Sequence, residues 1–227
     1  MDMSKYDLTP FVRDVYWGKS LEELQNMAKE DGHAAFELGE RFRRQGDIPR
    51  ALEFYAMAKQ QGDTGAPIQI ACLLDKQGEY AQAAEAFQEV IDQDGADALD
   101  AKRMLGLYLL HNRLGLFPNR DKEGANLLLD AAKQGLKEAQ FALAIAYRNG
   151  DGVEVSKEDF FLWLRCAQRN HYLPAEQYVD RGLQQEAFRK AWMDLLPGID
   201  AHIAQHDEYL AMERLAAIIA EDMQNQG

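Results

Sequence analysis

The side chains best able to do chemistry lie near the C-terminus, where His202 and His206 stand four residues apart with Asp207 and Glu208 beside them. On a helix that spacing sets both imidazoles on one face, half of a transition-metal site. No third ligand is fixed by spacing, and the residues between the pair read Ile-Ala-Gln, without the glutamate of a zinc-hydrolase helix. A solvated helix face accounts for the pair. A second oxygen-rich stretch, Asn149-Gly-Asp-Gly-Val-Glu-Val-Ser156, lacks the alternating acids and distal glutamate of a calcium loop. Because Ser156-Lys-Glu-Asp159 reads as a capped helix start, this stretch is expected to join two helices.

No glycine-rich phosphate cradle, nucleophile elbow or paired cysteine and histidine follows from the remaining residues. Cys72 and Cys166 sit among apolar neighbours outside any C-x-x-C spacing, as small buried thiols do. The 38 acidic residues are spread along polar faces, so no two of them stand out as a catalytic pair. The expectation is a chain that is not an enzyme and takes no metal or cofactor.

A net charge of −13 opposes nucleic-acid binding, which needs clustered lysine and arginine. No apolar run approaches the roughly 20 residues of a membrane helix, and the opening Met-Asp-Met-Ser-Lys-Tyr-Asp is unlike a secretory leader. A cytoplasmic location is expected. With 47% hydrophobic residues, the 227-residue chain can bury its own core without staples.

The elements that must carry any site come from a repeat. Residues 32–63 and 64–95 superimpose at a constant offset of 32. Leu38, Gly39, Phe42, Gly46, Ile48, Ala51, Tyr55 and Ala58 correspond to Ile70, Ala71, Leu74, Gly78, Tyr80, Ala83, Phe87 and Val90. Apolar residues at spacings of three and four flank each central glycine, which predicts two amphipathic helices joined by a tight turn. Small residues at positions 39, 51, 71 and 83 let the paired helices approach. Asp47 followed by Pro49 reads as a helix start. Ala28-Lys-Glu-Asp-Gly32, Ala58-Lys-Gln-Gln-Gly62 and Ala132-Lys-Gln-Gly135 are expected to end helices, each on a left-handed glycine.

This pattern resembles the tetratricopeptide repeat, although the early tryptophan of that family is absent. Residues 139–171 resemble a Sel1-like repeat through Leu143, Tyr147, Gly150, Gly152, Val153, Trp163 and Ala167, with Ala144 and Phe160 departing from the usual residues. A divergent unit over about 99–136 carries Leu105, Gly106, Tyr108, Gly124, Leu127, Ala131, Ala132 and Gly135. The resemblance spans roughly residues 20–180 and implies an all-α, right-handed α-solenoid of helical hairpins, often bacterial. The expected organisation is one continuous solenoid: an N-terminal cap over 1–31, repeats over 32–63, 64–98, 99–136 and 137–172, and capping helices over 173–227.

Within the ends, Ser20-Leu-Glu-Glu23 is a capping-box start, and its helix needs a partner around Tyr6 to Trp17. After Pro174 a helix starting at Ala175 is followed by two helical stretches expected to break at Pro197-Gly198. The second carries an apolar stripe of Ile203, Leu210, Met212, Leu215, Ile218, Ile219 and Met223, expected to pack on the last repeat.

First helices of such hairpins line a concave surface on which peptides lie. Repeat register puts Phe36, Arg43, Arg44, Ile68, Lys76, Arg103, His111, Phe141, Arg148 and Asn149 there. Arginine beside exposed phenylalanine and isoleucine suits an acidic, partly apolar peptide or a C-terminal carboxylate. The leading expectation is therefore a non-catalytic adaptor or scaffold that binds a partner protein or peptide in this groove. Two rivals remain open. One is an inhibitor or immunity protein whose acidic outer face captures a basic enzyme or toxin. The other is an enzyme with its site in the C-terminal helices. Pairing of the groove arginines with neighbouring acids would remove the groove's charge, and the oligomeric state is left open by the sequence.

Overall fold

A computed structural model describes residue 16 and residues 18–224, with side chains through Asp207. The described residues contain helices and no strand: α1 (Leu21–Met27), α2 (Gly32–Arg44), α3 (Ile48–Gln60), α4 (Ala66–Gln77), α5 (Tyr80–Asp92), α6 (Ala98–Leu110), α7 (Asp121–Lys133), α8 (Lys137–Asn149), α9 (Lys157–Arg169), α10 (Leu173–Leu183) and α11 (Glu186–Gln224). Two compact units divide the chain, Met1–Leu105 and Gly106–Gly227.

In the first unit the offset of 32 reappears as capping chemistry. Asp31 accepts hydrogen bonds from the backbone N–H groups of His33 and Ala34 at the start of α2. Asp63, 32 residues on, accepts from those of Gly65 and Ala66 at 3.0 and 2.9 Å at the start of α4. Both carboxylates satisfy donors that a helix N-terminus would otherwise leave orphaned. Each also takes a side-chain donor, Tyr16 Oη at 2.7 Å on Asp31 and His33 Nδ1 at 2.8 Å on Asp63. Asp47 caps α3 through the Arg50 N–H, and Ser20 with Glu23 forms the reciprocal capping box that starts α1.

The α2–α3 hairpin buries Leu38, Phe42, Ala51, Tyr55 and Ala58. Gly39 allows this approach: a Cβ there would lie 2.7 Å from the Tyr55 ring, inside contact distance. Of the three glycines expected to end helices, Gly62 and Gly135 are left-handed, at φ +84° and +92°. Gly32 departs from the expectation. It is the first residue of α2, and its small size matters because a Cβ would sit 3.2 Å from Gln61 Cβ.

In the second unit α7 meets the end of α6 backbone to backbone. A Cβ on Gly124 would fall 2.5 Å from the Leu110 amide nitrogen and 2.6 Å from the Gly106 carbonyl oxygen. The oxygen-rich stretch at 149–156 joins α8 to α9: Gly150 and Gly152 take φ +83° and +66°, and Ser156 caps α9 through the Asp159 N–H. Phe160, Phe161 and Leu164 of α9 then pack with Val179 of α10 and with Trp192, Ile199 and Ile203 of α11.

The expected break at Pro197-Gly198 is absent, because α11 runs through both residues for 39 residues. Proline costs an internal helix one hydrogen bond and a steric clash, and the buried contacts of Trp192 before it and of Ile199 and Ile203 after it hold the two halves in one helix. Arg165 of α9 reinforces the later half by gripping Asp200 at 2.9 and 3.2 Å. Of the predicted apolar stripe, Ile203 is buried; the side chains from Leu210 to Met223, and the expected N-terminal partner segment around Tyr6 to Trp17 apart from Tyr16, lie outside the described residues.

Candidate functional site

Turns of α2 present Phe36, Glu40, Arg43 and Arg44 in succession. Glu40 organises this row: its carboxylate accepts from Arg43 at 2.7 and 3.0 Å, from Arg44 at 3.3 Å and from Tyr55 Oη at 2.5 Å. Burial works against the Glu40 charge, but the hydrogen bonds from Arg43 and Tyr55 and the nearby Arg44 outweigh it and hold the carboxyl below its ordinary range. Burial, then the bond to Glu40, pushes the Tyr55 hydroxyl pKa well up, and the Glu40 bond raises that of Arg43. Two guanidinium charges therefore share one carboxylate. The ring of Phe36 is half-buried, tilted against Tyr55 with centroids 5.4 Å apart.

The expectation of an exposed isoleucine is corrected. Ile68, in the first turn of α4, is only 9% exposed and counts among the buried residues of that helix. Lys76 lies exposed in the last turn of α4. Arg103 of α6 pairs with Asp100 at 3.4 Å.

In the second unit His111 is exposed just beyond α6. Phe141, Arg148 and Asn149 share α8, and α10 supplies what register alone did not disclose. Tyr178 donates nothing to Arg148 but receives from it: Arg148 Nη1 lies 2.5 Å from Tyr178 Oη, and the guanidinium stands 5.7 Å from the centre of that ring. Phe141 packs against Tyr172 and Tyr178 at 5.6 and 6.0 Å. Arg148 Nε reaches only the amide oxygen of Asn149, at 3.1 Å, and Asn149 in turn donates to Asp151 at 3.0 Å. Among the described residues no carboxylate pairs with Arg148. Its exposed cation rests on an aromatic platform, an arrangement that can accept an acid from outside.

His202 and His206 both line a cavity of about 400 Å³ against α9. Among the described residues no cluster of three histidines, cysteines or acids could hold a metal ion there. The Cys166 thiol in the same wall is pushed up to about 11, chiefly by burial. Sequence register missed this cavity because it brings together residues far apart in the chain; the half-match of the histidine pair was its one visible trace.

The architecture defines a class: an all-helical protein of repeated hairpins whose first helices carry exposed charge. A tetratricopeptide repeat family matches residues 68–135. The chain is 30% identical over 206 residues to a protein of Neisseria meningitidis serogroup B, uncharacterized protein NMB1327, covering 85% of this chain and 42% of the relative. It thus spans less than half the length of that curated relative. Among solved structures, c5321, a protective antigen present in uropathogenic Escherichia coli strains and displaying an SLR fold, aligns with a TM-score of 0.57 at 25% identity, covering 70% of this chain and 35% of that one. A Sel1 repeat protein from Oxalobacter formigenes aligns with a TM-score of 0.57 at 19% identity, over 75% and 73% of the two chains.

The chain has the helical-repeat fold of the Sel1-like and tetratricopeptide-like proteins it resembles. Repeats of this kind generally serve as protein–protein interaction scaffolds and are typically non-catalytic. Among the described residues no helix is long and apolar enough to cross a membrane.

Proposed function

We propose that this chain is a non-catalytic adaptor that binds an acidic, partly apolar peptide, or a free C-terminal carboxylate, on its first helices. The observation that carries the reading is Arg148: an exposed guanidinium without a carboxylate partner among the described residues, seated on the Phe141–Tyr178 platform. A bidentate carboxylate would complete its donors, and the aromatic edge would receive an adjacent apolar side chain. Arg43 and Arg44 act as a secondary patch, since Glu40 already balances one of their two charges. Lys76, Arg103 and His111 extend the same set of first-helix positions, with Arg103 partly neutralised by Asp100.

Affinity capture from native lysate, with mass-spectrometric identification, tests this reading with wild type beside Arg148→Glu and the Arg43→Glu/Arg44→Glu double variant. Reversing a charge that contacts a carboxylate costs at least about 2 kcal/mol, or roughly 30-fold in affinity. The expected result is a partner enriched by wild type, lost with Arg148→Glu and reduced with the double variant. A partner retained equally by both variants, with helicity unchanged, removes the first helices as its binding surface.

A further inference from the structure

The cavity of about 400 Å³ in the second unit is walled by α9, α11, the end of α7 and Gln140 of α8, not by the first-helix positions discussed above. It has a distinct composition. Leu162, Trp163 and Ile203 give it an apolar side, while Lys133, Arg169, His202 and His206 stand around that surface. The acid in the lining, Asp207, is engaged by Arg169 at 3.4 Å. The Lys133 ammonium and both imidazoles make no hydrogen bond or ion pair with any described residue. Lys133 and Arg169 against Asp207 leave one net positive charge beside an indole, in a chain of net charge −13.

The interior polar groups say what kind of ligand this suits. Gln140, 5% exposed, uses its amide nitrogen on the Ala132 carbonyl at 3.1 Å and its oxygen on Asn170 at 2.9 Å. Its donor and acceptor are therefore engaged within the protein and do not converge on a cofactor, whose sites need a few aimed polar groups at depth. What remains in the lining is an apolar surface and the exposed Lys133 ammonium. The volume falls within the range of pockets that hold ligands, about 300–1,000 Å³.

The geometry points to this cavity as a second docking site, one that takes a bulky apolar side chain of an acidic peptide segment, with Trp163 against the side chain and Lys133, His202 and His206 facing the flanking carboxylates. The site is independent of Arg148 and stands whether or not the first helices bind a partner. It gives a scaffold two separate points of attachment, and linked attachments raise overall affinity through effective concentration.

The test uses acetyl-Asp-Glu-Phe-Glu-Asp-amide as the probe, titrated into the full chain. The Trp163 indole N–H resonance is followed by NMR, assigned by its loss in Trp163→Phe. The expected result is a saturable shift of that resonance. Affinity should fall at least tenfold when Asn and Gln replace the peptide's acids, and at least tenfold when Ala replaces its Phe. Lys133→Glu/His206→Glu, two exposed changes that break no contact among the described residues, should lower it tenfold or more with circular dichroism unchanged. The proposal is overturned if the indole does not move at roughly 1 mM peptide, the weak limit of a useful site. It is overturned equally if the uncharged peptide binds as well, or if the double variant binds like wild type.

Discussion

Replacing Glu40 perturbs stability and charge in opposite senses, and the structure sets the size of each effect. Tyr55 is fully buried and its hydroxyl donates to Glu40 at 2.5 Å. Glu40→Ala leaves that hydroxyl without its acceptor, which costs about 1–3 kcal/mol. The pairs with Arg43 and Arg44 are partly exposed, their arginine side chains 34% and 60% accessible, and add only about 0.3–0.5 kcal/mol each. The expected loss for Glu40→Ala is thus roughly 2–4 kcal/mol. Glu40→Gln keeps an acceptor for Tyr55 and gives up only the charge, so its loss is about 1 kcal/mol. The Glu40 carboxyl sits below its ordinary range when folded, so its contribution is complete above the unfolded value of about 4.3 and is lost as pH falls through the folded value. The gap between wild type and Glu40→Gln should therefore hold constant from pH 7 to 5 and close below about pH 4. Hydrogen exchange read by mass spectrometry on peptides from α2 and α3 measures this locally, which suits a repeat protein whose segments open separately. Equal losses for the two variants would show that Tyr55 does not depend on this acceptor. A gap that widens on acidification would refute the charge assignment.

Other consequences are as direct. Gly124→Ala sets a methyl group against backbone atoms at 2.5 and 2.6 Å; overpacking of about 1–3 kcal/mol should exceed the roughly 1 kcal/mol gained in helix propensity, and unchanged exchange in α7 would contradict the close crossing. Cys166, with its thiol raised to about 11 by burial, should alkylate at pH 7 far more slowly in the folded chain than in urea, and equal rates by mass spectrometry would place it at the surface. Pro197→Ala should stabilise α11 by about 1–3 kcal/mol, since it restores an internal bond and removes a clash; a loss of protection around Ile199 would mean that the proline shapes a bend the packing requires.

How much of this the sequence disclosed depends on the range over which each feature is determined. The α2–α3 and α4–α5 hairpins were legible because their signals are local: apolar spacing, a central glycine and capping side chains such as Asp47 and Ser20. Gly39 was legible as a small position, and its 2.7 Å approach to Tyr55 supplies the reason. Gly32 was misread because its motif, Ala-Lys-x-x-Gly, is shared with a true helix end at Gly62, whereas Asp31 caps a helix beginning at that very residue. Pro197 was misread as a break because a local cost was weighed without the buried contacts on either side of it.

The first-helix positions show the same division more sharply. Register places side chains on a face but does not say what neighbouring elements do to them. Arg43 and Arg148 occupy equivalent late positions on first helices, yet one is folded onto Glu40, three residues back on its own helix, and the other lies against Tyr178 of α10, 30 residues on. A carboxylate at position 40 was visible to anyone reading one turn back. The tyrosine was not, because Ala175-Glu-Gln-Tyr178 begins like another first helix but the pattern is lost after it, and a contact 30 residues away is not written in local spacing. Equal charges at equal register positions are therefore unequally satisfied, and under the proposed function Arg148, which meets a tyrosine ring instead of an acid, is where a carboxylate would gain the most.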